Sequence, residues 1–279
     1  TKTIQRKVKN RIIPPSVPFV LYGTAASVSI GGLFIAGIIP GLLLGLFLMG
    51  YSYVIAGKRN YPLIKKKLTI KEFFLSFRNA LSVLMLPLII VGGILSGVFT
   101  PTEAASIAVV YAFIVSVFVY RSLKLKDMVD VFFKSAIHAS IVLMLISTAN
   151  IFGTILTTQQ IPQKAAQLLL SITENPYSML LLINGFLLLA GMFMAESPNI
   201  IILTPIFVPI ILQLGIDPLH FGVVMILNLT IGLITPPLGA CLYILCGISN
   251  LTLEKMTRSF IPLLLVELVV LLLITYIPS

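Results

Sequence analysis

The chain has 279 residues, of which 58% are hydrophobic and only 10% charged, and its mean hydropathy is +1.09. A soluble domain carries roughly 25% charged residues, so this composition excludes a water-soluble globular domain and points to a polytopic membrane protein. The net charge of +10 does not indicate nucleic acid binding, because the Lys and Arg gather in alternate loops between apolar spans, as cytoplasmic loops do.

Residues 1–11 (TKTIQRKVKNR) form a basic cytoplasmic arm with no signal-peptide pattern. Residues 12–57 hold a short apolar segment broken by Pro14-Pro15-Ser16, then a Gly-rich span over 31–56 with Gly41 and Gly45 at GxxxG spacing. Residues 58–78 are a basic cytoplasmic connector. Residues 79–157 are read as scaffold spans (79–97, 104–120 and 135–157), with a second basic loop between the last two. Thr100-Pro101-Thr102-Glu103 has the spacing of a capping box: Thr100 as N-cap, Pro101 in the first turn, Glu103 three residues on. Residues 158–178 are amphipathic, bracketed by Pro162 and Pro176, and read as an interfacial helix on the far side.

Residues 179–247 carry the densest signals. An apolar stretch over 179–214 is interrupted by Glu196-Ser197-Pro198-Asn199, which reads as the tip of a re-entrant hairpin. The following span is broken by Thr235-Pro236-Pro237-Leu238-Gly239. Residues 248–279 supply a loop with Lys255 and Arg258 and a last span from about 260 to 277. With 58–78 inside, this order leaves 18 of the 19 Lys and Arg on the cytoplasmic side, Lys164 being the exception. Two full crossings over 179–214 would leave every side unchanged, so the polar tetrapeptide, not the charge, favours the hairpin. The pattern has none of the alternation of barrel strands, so the fold class is an all-α polytopic membrane protein.

A proline pair inside an apolar run removes two backbone donors, and in hydrocarbon the freed carbonyls need protein, water or an ion. Two such breaks, at Pro14-Pro15-Ser16 and at Thr235–Gly239, mark a transporter binding site near the bilayer midplane. The candidate ion- and substrate-binding residues are therefore Ser16, Glu196, Ser197, Asn199, Asn228, Thr235, Pro236 and Gly239. The Thr235 hydroxyl and the carbonyls around it are hard oxygen ligands of the kind Na+ takes. A half-helix N-terminus at the break suits an anionic substrate. Glu196 reads either as a site residue or as a carboxylate capping a helix start. Asn228 reads either as lining the same cavity or as an interhelical hydrogen bond. Glu267 is expected to face the bundle, and His138 and His220 to sit at interfaces rather than to act as ligands. Cys241 and Cys246 have neither metal nor disulfide spacing. No metal-protease motif or phosphate loop occurs, so the chain reads as a non-enzyme whose pumping draws on an ion gradient or a partner.

The segments Ile13–Ser16, Ala36–Gly41, Gly97–Ala105, Gly215–Pro218 with His220–Gly222, and Ile231–Gly239 resemble, in order along the chain, the large membrane subunit of TRAP (tripartite ATP-independent periplasmic, DctM-like) transporters. The resemblance implies an elevator-type fold of two inverted repeats, each with a re-entrant hairpin and a Pro-broken helix. It implies Na+-coupled import of an organic anion, such as a C4-dicarboxylate, sialic acid or another sugar acid, with no covalent cofactor. It implies a small four-helix membrane subunit and a periplasmic substrate-binding protein as partners, in a bacterial inner membrane. By that resemblance, Glu196–Asn199 form the second hairpin tip and Ile234–Gly239 the second broken helix. Together these hold a Na+ ion, with Thr235 and Asn199 as its ligands. Pro14–Ser16 belong to the first broken helix, beside a second Na+. The family's first repeat has several spans and a hairpin before its Pro-Pro-Ser break, whereas residues 1–11 here are polar and read as an altered start. The first repeat is expected to be incomplete, and the alternative function is a truncated, non-transporting fragment of such a subunit.

Overall fold

The computed structural model describes residues 15–58, 70–121, 123–173, 175–236, 239–249 and 252–277. The basic arm 1–11, Pro14, most of the connector 58–78, and Pro237 and Leu238 lie outside the described residues. The described elements are all helices: α1 (Val17–Ala26), α2 (Ile30–Lys58), α3 (Ile70–Leu95), α4 (Pro101–Ile114), α5 (Met128–Thr158), α6 (Ile161–Ile172), α7 (Pro176–Phe193), α8 (Glu196–Gln213), α9 (Pro218–Gly232), α10 (Ala240–Ser249) and α11 (Leu253–Tyr276). Among the described residues, six segments are long and apolar enough to cross a bilayer. The chain is an all-α polytopic membrane protein.

The chain divides into two compact units, residues 1–55 with 145–279 and residues 56–144. In the second, α3 and α4 pack together, and the Tyr111 hydroxyl donates to Ser82 O at 2.8 Å. The expected capping box is present. Thr100 N donates to Glu103 Oε2 at 2.8 Å, and Glu103 N to Thr100 Oγ1 at 3.3 Å. Both bonds satisfy helix-start amides that would otherwise lack partners. Thr100→Ala is expected to lower stability by about 1 kcal/mol, seen as a fall of a few degrees in the thermal midpoint of the detergent-purified protein. Helix α4 ends in a π turn over Val115–Val119.

The first unit is built around α9. Every residue of this helix from His220 to Gly232 is buried, as a helix that is apolar on all sides must be. Its neighbours are α1, α7, α8 and α11. Fifteen residues rise about 22 Å, short of a bilayer core of about 30 Å. Short α1 docks through wholly buried Phe19 and Tyr22. The Tyr22 hydroxyl donates to Pro218 O at 2.8 Å, at the start of α9, and Phe19 meets Phe34 of α2 edge-on with centroids 6.4 Å apart. Helix α6, in the segment read as interfacial, packs against α8.

His220 differs from its expected interfacial placement. It is buried, with Nε2 3.2 Å from Thr275 O. The last carbonyls of α11 have no partner within their own helix, and the imidazole supplies one. Glu267 lies wholly buried on α11.

Candidate functional site

Helix α7 ends at Phe193 and α8 begins at Glu196, so only Met194 and Ala195, both in extended conformation, join the two helices. The polar tetrapeptide is therefore not the connecting turn itself but the first turn of α8. Its four residues lie at the positive end of that helix. Glu196 is buried there, and its Oε1 accepts from Thr230 Oγ1 of α9 at 2.9 Å. Asn199 is also buried. Its Nδ2 donates to Ala190 O at 3.2 Å and to Met194 O at 3.3 Å, so the side chain clamps the end of α7 from the start of α8. With the amide nitrogen spent, the Asn199 carbonyl oxygen is the atom left for a cation. Ser197 and Pro198 are half-buried.

The second break begins where α9 stops. Ile234 N donates to Ile231 O at 3.1 Å and Thr235 N to Gly232 O at 3.0 Å, a tightened turn that ends the helix. The Thr235 hydroxyl donates to Ile231 O at 2.8 Å, which leaves its oxygen lone pairs to accept or to ligate. Pro236 is half-buried. Gly239 has φ +25°, and a Cβ there would stand 3.0 Å from Thr235 O and 2.9 Å from the Leu242 side chain. A glycine therefore lets α10 restart beside the freed carbonyls. The Thr235 hydroxyl, the Asn199 carbonyl and the turn carbonyls are each hard oxygen donors, the chemistry of alkali and alkaline-earth cations rather than of softer metals.

Two contacts bring the tip and the break together. One is the Thr230–Glu196 hydrogen bond. The other is a backbone crossing of α7 and α9: a Cβ on Gly232 would stand 2.7 Å from the Gly191 backbone, and one on Gly191 would stand 3.1 Å from Gly232 Cα. Each glycine lies within a few residues of its own interruption, so the crossing fixes the hairpin end against the break.

Asn228 joins a different group. Its Nδ2 donates to Asn184 Oδ1 at 2.9 Å and to Asn184 O at 3.1 Å. Asn184 Nδ2 in turn donates to Thr275 Oγ1 at 2.9 Å. This buried polar rail ties α7, α9 and α11 together. Ser16 is buried at the start of α1 in extended conformation, and its hydroxyl does not cap that helix.

Sequence reasoning missed Thr230, Asn184, Thr275, Gly191 and Gly232. The glycines had a signal, each lying just before an interruption. A single Thr or Asn inside an apolar helix gives no sign of which neighbour it faces. Thr230→Val removes the hydroxyl that meets Glu196 Oε1 in the buried interior. The expected loss is about 1.5–3 kcal/mol, read as a lowered thermal midpoint of the purified protein.

The model of the "Tripartite ATP-independent periplasmic transporter, DctM component" family matches residues 9–279. The chain belongs to this family. It is 43% identical over 268 residues to the isethionate TRAP transporter permease protein DctMQ of Oleidesulfovibrio alaskensis, a match covering 96% of the chain and 42% of that protein. It is 44% identical to the C4-dicarboxylate TRAP transporter large permease protein DctM of Pseudomonas aeruginosa, covering 96% of the chain and 62% of that relative. Against the sialic acid TRAP transporter large permease protein SiaM of Vibrio cholerae the identity is 41%, with the same coverages of 96% and 62%. The chain thus spans 42–62% of the length of these relatives. The relatives are transporter permeases rather than enzymes, and the TRAP match includes both the hairpin and the second break.

Proposed function

We propose that this chain forms the second transport site of the large permease subunit of a Na+-coupled TRAP importer for an organic anion. The observation that carries the reading is the joining of hairpin tip and broken helix, through Thr230–Glu196 and the Gly191–Gly232 crossing. In this reading Thr235 and Asn199, with the carbonyls freed at the break, hold one Na+. The positive N-terminal ends of α8 and α10 favour the carboxylate or sulfonate of the substrate. Ion and anion neutralise each other, so the loaded site crosses the low-dielectric interior at less cost than either charge alone.

Movement is by an elevator. The hairpin and broken helices move as a body, exposing the site first to one side and then to the other. A small four-helix membrane subunit braces the permease in the bacterial inner membrane, and a periplasmic substrate-binding protein delivers the anion. The relatives' names support this substrate class: isethionate, C4-dicarboxylates and sialic acid are all small organic anions.

The test is uptake into proteoliposomes containing the intact permease with its small subunit, supplied with the binding protein. Labelled succinate, N-acetylneuraminate and isethionate are offered one at a time under an inward Na+ gradient. The expected result is uptake of one of them that stops when choline replaces Na+ or when the binding protein is omitted. Uptake that continues without Na+ would contradict the coupling.

A further inference from the structure

Among the described residues, the buried side-chain atoms with no hydrogen-bond partner are His220 Nδ1, Asn228 Oδ1 and both carboxyl oxygens of Glu267. All four lie on α9 and α11, which pack against each other. The contact of His220 Nε2 with Thr275 O joins the start of α9 to the end of α11, so two helices that overlap from that point run antiparallel. Asn228 lies eight residues on from His220, and Glu267 eight residues back from Thr275. At 1.5 Å per residue, both stand about 12 Å from the contact in the same direction. Glu267 and Asn228 are each 0% exposed.

A carboxylate oxygen and an amide oxygen only accept. Three such atoms, sealed from solvent with no donor, are costly unless a positive charge or a proton joins them. Asn228 Nδ2 is already held by Asn184, which fixes the amide plane and the direction of its free oxygen. We propose that Glu267 and Asn228 form a cation site between α9 and α11, separate from the tip and the break, that takes up a proton or an alkali ion. The site needs no particular substrate and stands whether or not the transport reading does.

The titratable groups on the elements packed around Glu267 are His220 on α9, Cys241, Tyr243 and Cys246 on α10, and Tyr177 on α7. Glu254, Lys255 and Arg258 lie at the far end of α11, and Tyr276 is its last residue. Of these only His220 is buried, and its Nε2 is spent on Thr275. A His220→Gln variant therefore serves as the control for any contribution of that ring.

The test uses the intact permease with its small subunit in detergent. Its thermal midpoint is followed against pH in choline chloride, and against NaCl, KCl and LiCl at fixed pH. The wild type is expected to gain roughly 5 °C or more at saturating cation. Glu267→Gln loses the part of that response that remains in a Thr235→Val background, while His220→Gln keeps it. A response to pH alone identifies the proton, and a response to one alkali chloride identifies that metal ion. If Glu267→Gln does not accumulate, Glu267→Asp and Asn228→Ala carry the test, with a shifted cation midpoint expected. The site is overturned if the wild type responds to neither titration, or if the variants that fold respond as the wild type does.

Discussion

Gly232→Val is expected to cause the largest single loss of stability in this part of the chain. The position admits no Cβ, because the Gly191 backbone would lie 2.7 Å from it. Overpacking in a core typically costs 1–3 kcal/mol, relieved by neighbouring side chains that shift. Here the obstacle is main chain in a helix, so about 3 kcal/mol or more is expected. The helices must part, which would also separate the hairpin end from the break. Fluorescence-detected size-exclusion and thermal-midpoint measurements on the purified permease should show a drop of several degrees or failure to accumulate. Gly191→Ala should lie between wild type and Gly232→Val, since its Cβ would meet Gly232 Cα at 3.1 Å. A Gly232→Val protein with wild-type stability would mean that the close crossing does not exist.

Thr235→Val is expected to have the largest effect on ion coupling. Valine keeps the shape and the apolar contacts but removes the hydroxyl oxygen. The lost bond to Ile231 O lies within the turn itself, so the fold should suffer little. Even outer-shell partners of a bound metal change affinity about 10–100-fold, and a lost ligand should cost at least that. The Na+ concentration for half-maximal uptake should rise about 10–100-fold, with normal membrane insertion, and Thr235→Ser should restore it. An unchanged Na+ dependence would remove Thr235 from the site.

What was legible beforehand divides by range. The Thr100–Glu103 box was fully readable, because a capping box is written in four consecutive residues and depends on nothing distant. Both interruptions of the second hairpin and its following helix were readable for the same local reason. Their internal geometry was not. The tetrapeptide was expected to form the tip, yet Met194 and Ala195 make the turn and Glu196–Asn199 open α8, because Asn199 reaches back to carbonyls at the end of α7 and draws its own residues into the helix start. The partners of Glu196, Asn228 and His220 were out of reach, since each lies on another helix. His220 shows why composition misleads: a titratable ring near a span end suggested an interface, but an orphan carbonyl of α11 holds it inside.

In the proposed transport site, tip and break share one bound ion. A double-mutant cycle on Na+ binding to the purified permease tests it most directly, with Asn199→Ala, Thr235→Val and the double variant each titrated with 22Na+. Groups that ligate one ion are coupled, so their losses do not add. The expected result is a double variant that binds about as weakly as the worse single variant. Losses that add in full, or single variants with wild-type affinity, would contradict the shared site.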